Sequence, residues 1–200
     1  MSDARGPVAA LIPAAGSGRR MGRDKRLLEL EGETLLRRCA RRARDAGLNP
    51  VVVVLEPGAG SPMAELEGLG VTAVTSPDPS LGMNASLRAG VAALGESPAC
   101  LVVLPDMPWV DEAMLRAFGE LWERERPPLA LSRYGAVTAP PTLFARALYA
   151  ELASGGAGDR RGRELVRRHR ARALVLDWAP ALLADLDTPD DWGALFQRKR

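Results

Sequence analysis

The sequence predicts an α/β protein built on a single Rossmann-like, doubly wound, mostly parallel sheet. Three observations carry this. Short apolar runs at residues 8–12, 51–55 and 100–104 alternate with amphipathic stretches, the rhythm of βαβ units. The run Val51–Leu55 is apolar throughout and mostly β-branched, as a strand covered on both faces must be. The first run opens directly into a loop holding Gly16, Gly18 and Gly22, and open α/β sheets take their ligands just beyond strand ends.

The elements follow in order. Residues 8–12 form the first strand. Residues 35–46 have helical spacing, with Thr34 as N-cap and Gly47 as the stop. The arginines at 37, 38, 41, 42 and 44 fall mainly opposite the apolar residues, which reads as a solvated helix face. After the strand 51–55 come a Pro57–Gly60 loop, a short helix at 63–69 and a strand at 71–75. Residues 76–80 make a rigid Pro-rich turn before a helix at 86–94, and residues 100–104 are the fourth strand. Asp111 is placed to cap a helix at 114–126. A strand at 129–132, a helix at 145–153, a helix at 164–169 and a last strand at 173–176 complete the series. Thr188-Pro189 has the form of a terminal helix start. The whole of residues 1–200 reads as one domain, long enough to bury a core.

The chemistry concentrates at residues 11–25, LIPAAGSGRRMGRDK. Glycines let the backbone turn sharply and approach a ligand. Exposed N–H groups beside Arg19, Arg20, Arg23 and Lys25 then make a cradle for phosphate. The loop is not a Walker A motif, which needs Lys-Ser or Lys-Thr after the second glycine. It departs from G-x-G-x-x-G as well, because the third glycine comes one residue late. A glycine-rich turn with a basic face would use neither three glycines nor this density of cations. An acid lies just past the fourth strand, in Pro105-Asp106-Met107-Pro108. Asp111 is better placed than Asp106 as a helix cap, so Asp106 is left for ligand chemistry.

Composition sets limits. A formal charge of +2 gives no overall nucleic-acid footprint. One histidine and two cysteines cannot build a typical zinc site. Cys39 and Cys100 lie in apolar patterns and are expected as buried free thiols in a reducing compartment. The first residues lack the apolar core of a signal peptide, and no apolar run approaches membrane-spanning length. The expectation is a soluble cytoplasmic protein.

The string PAAGSGRRMGRDK resembles the signature L-A-A-G-x-S/G-x-R-M-G-x-x-K of the MobA-like nucleotidyltransferases, and within them the molybdenum cofactor cytidylyltransferases. The likeness implies the GT-A-like nucleotidyltransferase fold of that family. It implies a loop wrapping the base and triphosphate of an NTP through Ile12, Pro13, Ala14, Ala15, Gly16, Ser17, Gly18, Met21 and Gly22. Arg19 and Lys25 would meet the phosphates and take catalytic roles. The segment GMNASLRAG is similar to a family stretch near base and ribose, to which Gly82 and Ser86 correspond. The family aspartate of the D-M-P motif corresponds to Asp106 and implies a catalytic ligand for Mg2+. The family D/N-x-D/N-T-P pattern falls on residues 185–189, which implies Asp187 as the second metal carboxylate with Asp185 as the alternative. Magnesium takes hard oxygen ligands, commonly one or two protein carboxylates plus phosphates. A stretch similar to G-D-x-G-A-R implies Asp159 and Arg163 at the acceptor, although Arg161 stands where relatives have glycine. Ala139-Pro140 likewise replaces a glycine-histidine-proline of relatives.

The implied reaction is nucleotidyl transfer from an NTP to a phosphorylated acceptor, molybdopterin by resemblance, with pyrophosphate leaving and a molybdoenzyme as partner for cofactor delivery. Pyrimidine-using relatives tend to x-A-A-G and GTP-using ones to L-A-G-G, so Pro13-Ala14-Ala15-Gly16 implies CTP, with a guanylyltransferase as the alternative. Two readings from other classes are a nicotinamide-dependent oxidoreductase and a nucleotide-binding regulatory or delivery module without catalysis.

Overall fold

A computed structural model describes residues 6–16, 24–77, 83–154 and 160–183. Strand β1, Ala9–Pro13, leads through a 3-10 turn at Lys25–Leu27 to a small hairpin, β2 (Glu29–Leu30) and β3 (Glu33–Thr34). Its two-residue turn places both Glu31 (φ 59°) and Gly32 (φ 78°) in the left-handed region, as a type I′ turn requires. Helix α1, Leu35–Asp45, follows, then β4 (Val51–Leu55), α2 (Gly60–Ala64), β5 (Thr72–Thr75), α3 (Met83–Ala93) and β6 (Ala99–Val102). After α4 (Glu112–Glu125) come β7 (Leu129–Tyr134), β8 (Val137–Ala145), α5 (Tyr149–Ala153), α6 (Arg160–His169) and β9 (Ala173–Trp178).

The seven-stranded sheet has the order β5-β4-β1-β6-β8-β7-β9. Pairings β5·β4, β4·β1 and β1·β6 are parallel. Strand β8 runs against both β6 and β7, while β9 is parallel to β7. The expected α/β, mostly parallel, doubly wound architecture is therefore present. Alternation along β1 shows how it is wound. Ala10 and Ile12 pack with Leu36, Ala40 and Ala43 of α1 and with Met114 and Phe118 of α4. Ala9 and Leu11 face the other way, toward Leu87 of α3, Leu152 of α5 and Leu165 of α6.

Several boundaries differ from the sequence reading for physical reasons. Helix α2 begins at Gly60 with Pro62 in its first turn, where proline is tolerated, and does not extend over 63–69. Residues 145–153 divide into the end of β8, a 3-10 turn at Arg146–Leu148 and the short α5. The caps are as expected: Thr34 Oγ1 accepts from Arg37 N, and Asp111 accepts from Met114 N. The terminal helix start at Thr188 lies outside the described residues.

The arginine face of α1 requires correction in part: Arg44 is exposed, but Arg37, Arg38 and Arg42 are pinned. Arg38 is buried and donates to the Leu30 carbonyl (3.1 Å) and to Glu31 (2.7 Å). Arg37 reaches the Glu65 carbonyl at 2.7 Å. Arg42 donates to the carbonyls of Pro108 (2.9 Å) and Val110 (2.7 Å). The side chains cross to backbone acceptors that no helical wheel displays.

Candidate active site

Strands β1, β4 and β6 lie side by side and parallel, so the segments leaving their carboxyl ends share one edge of the sheet. A cleft of about 260 Å³ opens there, lined by residues 13–16 from the β1 loop, Lys25 and Arg26 from the 3-10 turn, Met83 and Ser86 from α3, and residues 104–106 after β6. The first loop is held by β4: Ala14 N donates to the Val54 carbonyl at 2.8 Å. Val103 N donates to the Leu11 carbonyl at 3.0 Å and so guides the chain from β6 into the Asp106 turn. The same turn is braced from behind by Arg42.

Lys25 and Asp106 meet across this cleft. Lys25 Nζ lies 3.7 Å from Asp106 Oδ2, with side chains 14% and 27% exposed. A cation and a carboxylate thus face one water-accessible volume. That arrangement can bind a phosphate through the lysine and a hard divalent cation through the carboxylate. Among the described residues no group of three or more His, Cys, Asp or Glu side chains could hold a metal by itself. A single carboxylate beside a phosphate-sized space suits magnesium or manganese, which fill much of their coordination with substrate oxygen and water.

Of the residues expected at the nucleotide, Pro13, Ala14, Ala15, Gly16, Lys25 and Ser86 line the cleft together with Asp106. Ile12 does not. Strand alternation turns its side chain into the core beneath α1 and α4, where it is fully buried. Ser17, Gly18, Arg19, Met21, Gly22, Gly82, Asp159, Asp185 and Asp187 lie outside the described residues. Arg163 is exposed on α6 and is not among the residues that line this cleft.

Sequence reasoning missed Arg26 and its partners. Arg26 is 3% exposed. Burial opposes its charge, but hydrogen bonds and charges from Asp24 and Glu56 outweigh that and hold its pKa above the ordinary arginine value. The available signal was an acid, Glu56, standing immediately after the wholly apolar β4.

Both cysteines are free and buried as expected. Burial pushes each thiol up to about 12, which removes them from chemistry at neutral pH. His169 lies near Glu151, with Nε2 3.2 Å from Oε1, at the α5–α6 contact. No helix among the described residues is long and apolar enough to cross a membrane.

Comparison with known proteins bears on this geometry. The family model of the MobA-like NTP transferase domain matches residues 10–173. The chain is 30% identical over 204 residues to the molybdenum cofactor guanylyltransferase of Rhodobacter capsulatus, covering 96% of this chain and 97% of that one. It is 37% identical over 121 residues to a probable molybdenum cofactor guanylyltransferase of Opitutus terrae, a match covering 60% of this chain and 57% of the relative. Among solved structures, Rv0371c from Mycobacterium tuberculosis H37Rv superposes with a TM-score of 0.85 at 28% identity, covering 96% of this chain and 97% of that one. A manganese complex of Rv0371c matches with a TM-score of 0.81 at 26% identity, over 96% of this chain and 99% of that one.

Proposed function

The chain belongs to the MobA-like NTP transferase family, and from that premise we propose that it transfers a nucleoside monophosphate from an NTP to a phosphorylated acceptor. A phosphate oxygen of the acceptor attacks the α-phosphorus and forms the new P–O bond. The bond to the bridging oxygen breaks, and pyrophosphate leaves. This reaction asks a protein for positioning and charge neutralisation more than for a nucleophile. The observation that carries the reading is the Lys25–Asp106 pair across the cleft at the carboxyl ends of β1 and β6.

In this reading residues 13–16 cradle the nucleotide, Ser86 contacts it from the first turns of α3, and Lys25 binds the departing phosphates together with Arg19. Asp106, with Asp187, holds magnesium, which when bound neutralises charge on the substrate oxygens. Asp106 would supply a hard oxygen ligand to such an ion, and Lys25 offsets the negative charge of that carboxylate in the free protein. Gly82 completes the nucleotide side, and Asp159 and Arg163 the acceptor side. Molybdopterin is the acceptor we propose, in the cytoplasm, with the product passed to a molybdoenzyme.

A relative matched over 97% of its length is named a guanylyltransferase, which supports GTP as the donor. A specific observation supports CTP as a second reading. Ala15 lines the cleft, and a methyl group beside a base there would disfavour a purine more than a pyrimidine. A contact of that size discriminates by only about 1–3 kcal/mol. The test is kcat/KM for the four NTPs with magnesium and molybdopterin. GTP ahead by tenfold or more supports the guanylyl reading, and CTP ahead by that margin the cytidylyl one. Tight NADPH binding without turnover of any NTP would overturn both.

A further inference from the structure

Arg26 follows Lys25 directly and lines the same cleft, yet its guanidinium is buried and fully engaged by its neighbours. Nε donates to Asp24 Oδ1 at 2.8 Å, and Nη2 donates to Asp24 Oδ2 and Glu56 Oε1, each at 2.6 Å. Nη1 donates to Glu56 Oε2 and to the Ala14 carbonyl. A guanidinium has five N–H donors, and these bonds use all of them. None remains for a phosphate. Two carboxylates against one cation also leave the cluster with net negative charge, so it cannot draw in a triphosphate by its field. Its acceptors nevertheless come from three separate segments: the loop leaving β1, the start of the turn that carries Lys25, and the residue that follows β4. Asp24 also accepts from Arg26 N at 3.0 Å and so caps the turn.

We propose that Arg26 is a positioning residue that presents Lys25 to the triphosphate. It clamps the root of the 3-10 turn to both the β1 loop and β4, so that the lysine, otherwise a flexible point charge, starts from a fixed place. The inference rests on reading this cleft as an NTP site. Only a planar fork spans three segments at once, so lysine is no substitute for arginine here.

A double-mutant cycle between Arg26 and Lys25 tests this, read by calorimetric titration of GTP and of guanosine in magnesium buffer, and of CTP and cytidine in parallel. Lys25→Ala in the otherwise unaltered protein should weaken triphosphate binding tenfold or more and leave nucleoside binding nearly unchanged. Arg26→Met should reproduce most of that loss with Lys25 still present. Lys25→Ala added to Arg26→Met should then cost less than threefold. A full tenfold loss in both backgrounds, with both proteins folded by circular dichroism, would mean that the two residues act independently and would overturn the inference. If Arg26→Met does not fold because it leaves two acids facing one another, Glu56→Ala supplies the second background: it removes the β4 anchor while keeping one acid per cation, and the same contraction of the Lys25 effect is expected. Unaltered protein that binds neither triphosphate more tightly than its nucleoside overturns the nucleotide reading and this inference with it, and that result appears before any variant is made.

Discussion

Two carboxylates, Asp106 and Asp177, show how differently the two halves of the sheet are used. Asp106 follows the carboxyl end of β6, in the half where β5, β4, β1 and β6 run parallel and adjacent. It lines the cleft opposite Lys25. Asp177 lies near the carboxyl end of β9, parallel to β7 but separated from the other parallel strands by the opposed β8. It pairs with Arg133 at 2.5 Å on the open surface, with side chains 60% and 47% exposed. Both are acids near a strand end. Among the described residues only the first has neighbouring loops that converge on it, and convergence makes it the candidate site.

The sharpest way to break this comparison is to remove each acid in turn. Asp106→Ala should lower kcat by about 10²–10³ with the fold intact, since in the proposed reaction it deletes a hard oxygen ligand at the reacting charge. Asp177→Ala should leave kcat and KM unchanged and move Tm little, as expected for an exposed pair screened by water. Steady-state rates and a thermal melt read both, and comparable rate losses would dissolve the distinction.

A second pair contrasts two glycines within helices. A Cβ at Gly90 on α3 would meet Leu11 Cδ1 at 2.1 Å and Val54 Cγ2 at 3.0 Å, both buried in the parallel half. Gly90→Ala should therefore destabilise by about 1–3 kcal/mol, offset by at most about 1 kcal/mol of helix propensity. Gly119 on α4 has nothing within 4 Å of the same position, and Gly119→Ala should raise stability by about 0.5–1 kcal/mol. Chemical denaturation of the two variants decides it.

The smallest effect concerns Glu33, which pairs with Arg41 at 2.9 Å. Hydrogen bonding and charge from Arg41 pull its pKa below the usual 4.5 against the opposing effect of burial. A depressed folded-state pKa adds stability above the unfolded value and loses it as pH falls through the folded one. Glu33→Gln should cost up to about 1 kcal/mol at neutral pH, and the gap should close as acid titrates the parent protein. Denaturation midpoints across that range would show it.

The parallel half was readable because strands covered on both faces are written as continuous apolar runs. Strand β8 was not. Its Pro140 and Pro141 lack the N–H groups of a ladder and argue against a strand inside a sheet. The fold admits them through an irregularity: Leu131 pairs with Thr142, but the next residue, Ser132, pairs with Ala139. The skipped carbonyls find side chains instead, Pro141 O accepting from Ser132 Oγ at 2.9 Å and Pro140 O from Tyr134 OH at 2.8 Å. In the cleft, Lys25, Asp106 and Ser86 were legible from local motifs. Arg26 was not, because its burial depends on Glu56, thirty residues away along the chain. The arginines of α1 were misread similarly: a helical pattern tells which side a residue is on but not which loop will be packed there.

Cys39 is on the buried side of α1, on one face of the sheet, and Cys100 of β6 faces the layer beneath α3 and α5 on the other. With solvent excluded and thiolate formation suppressed, neither can react with an alkylating reagent until its own layer opens. Each is thus a natural reporter for one side of the sheet. Labelling rates in rising denaturant, resolved by peptide mass, would time the release of the two helical layers separately and show whether the molecule comes apart as one cooperative unit or as two.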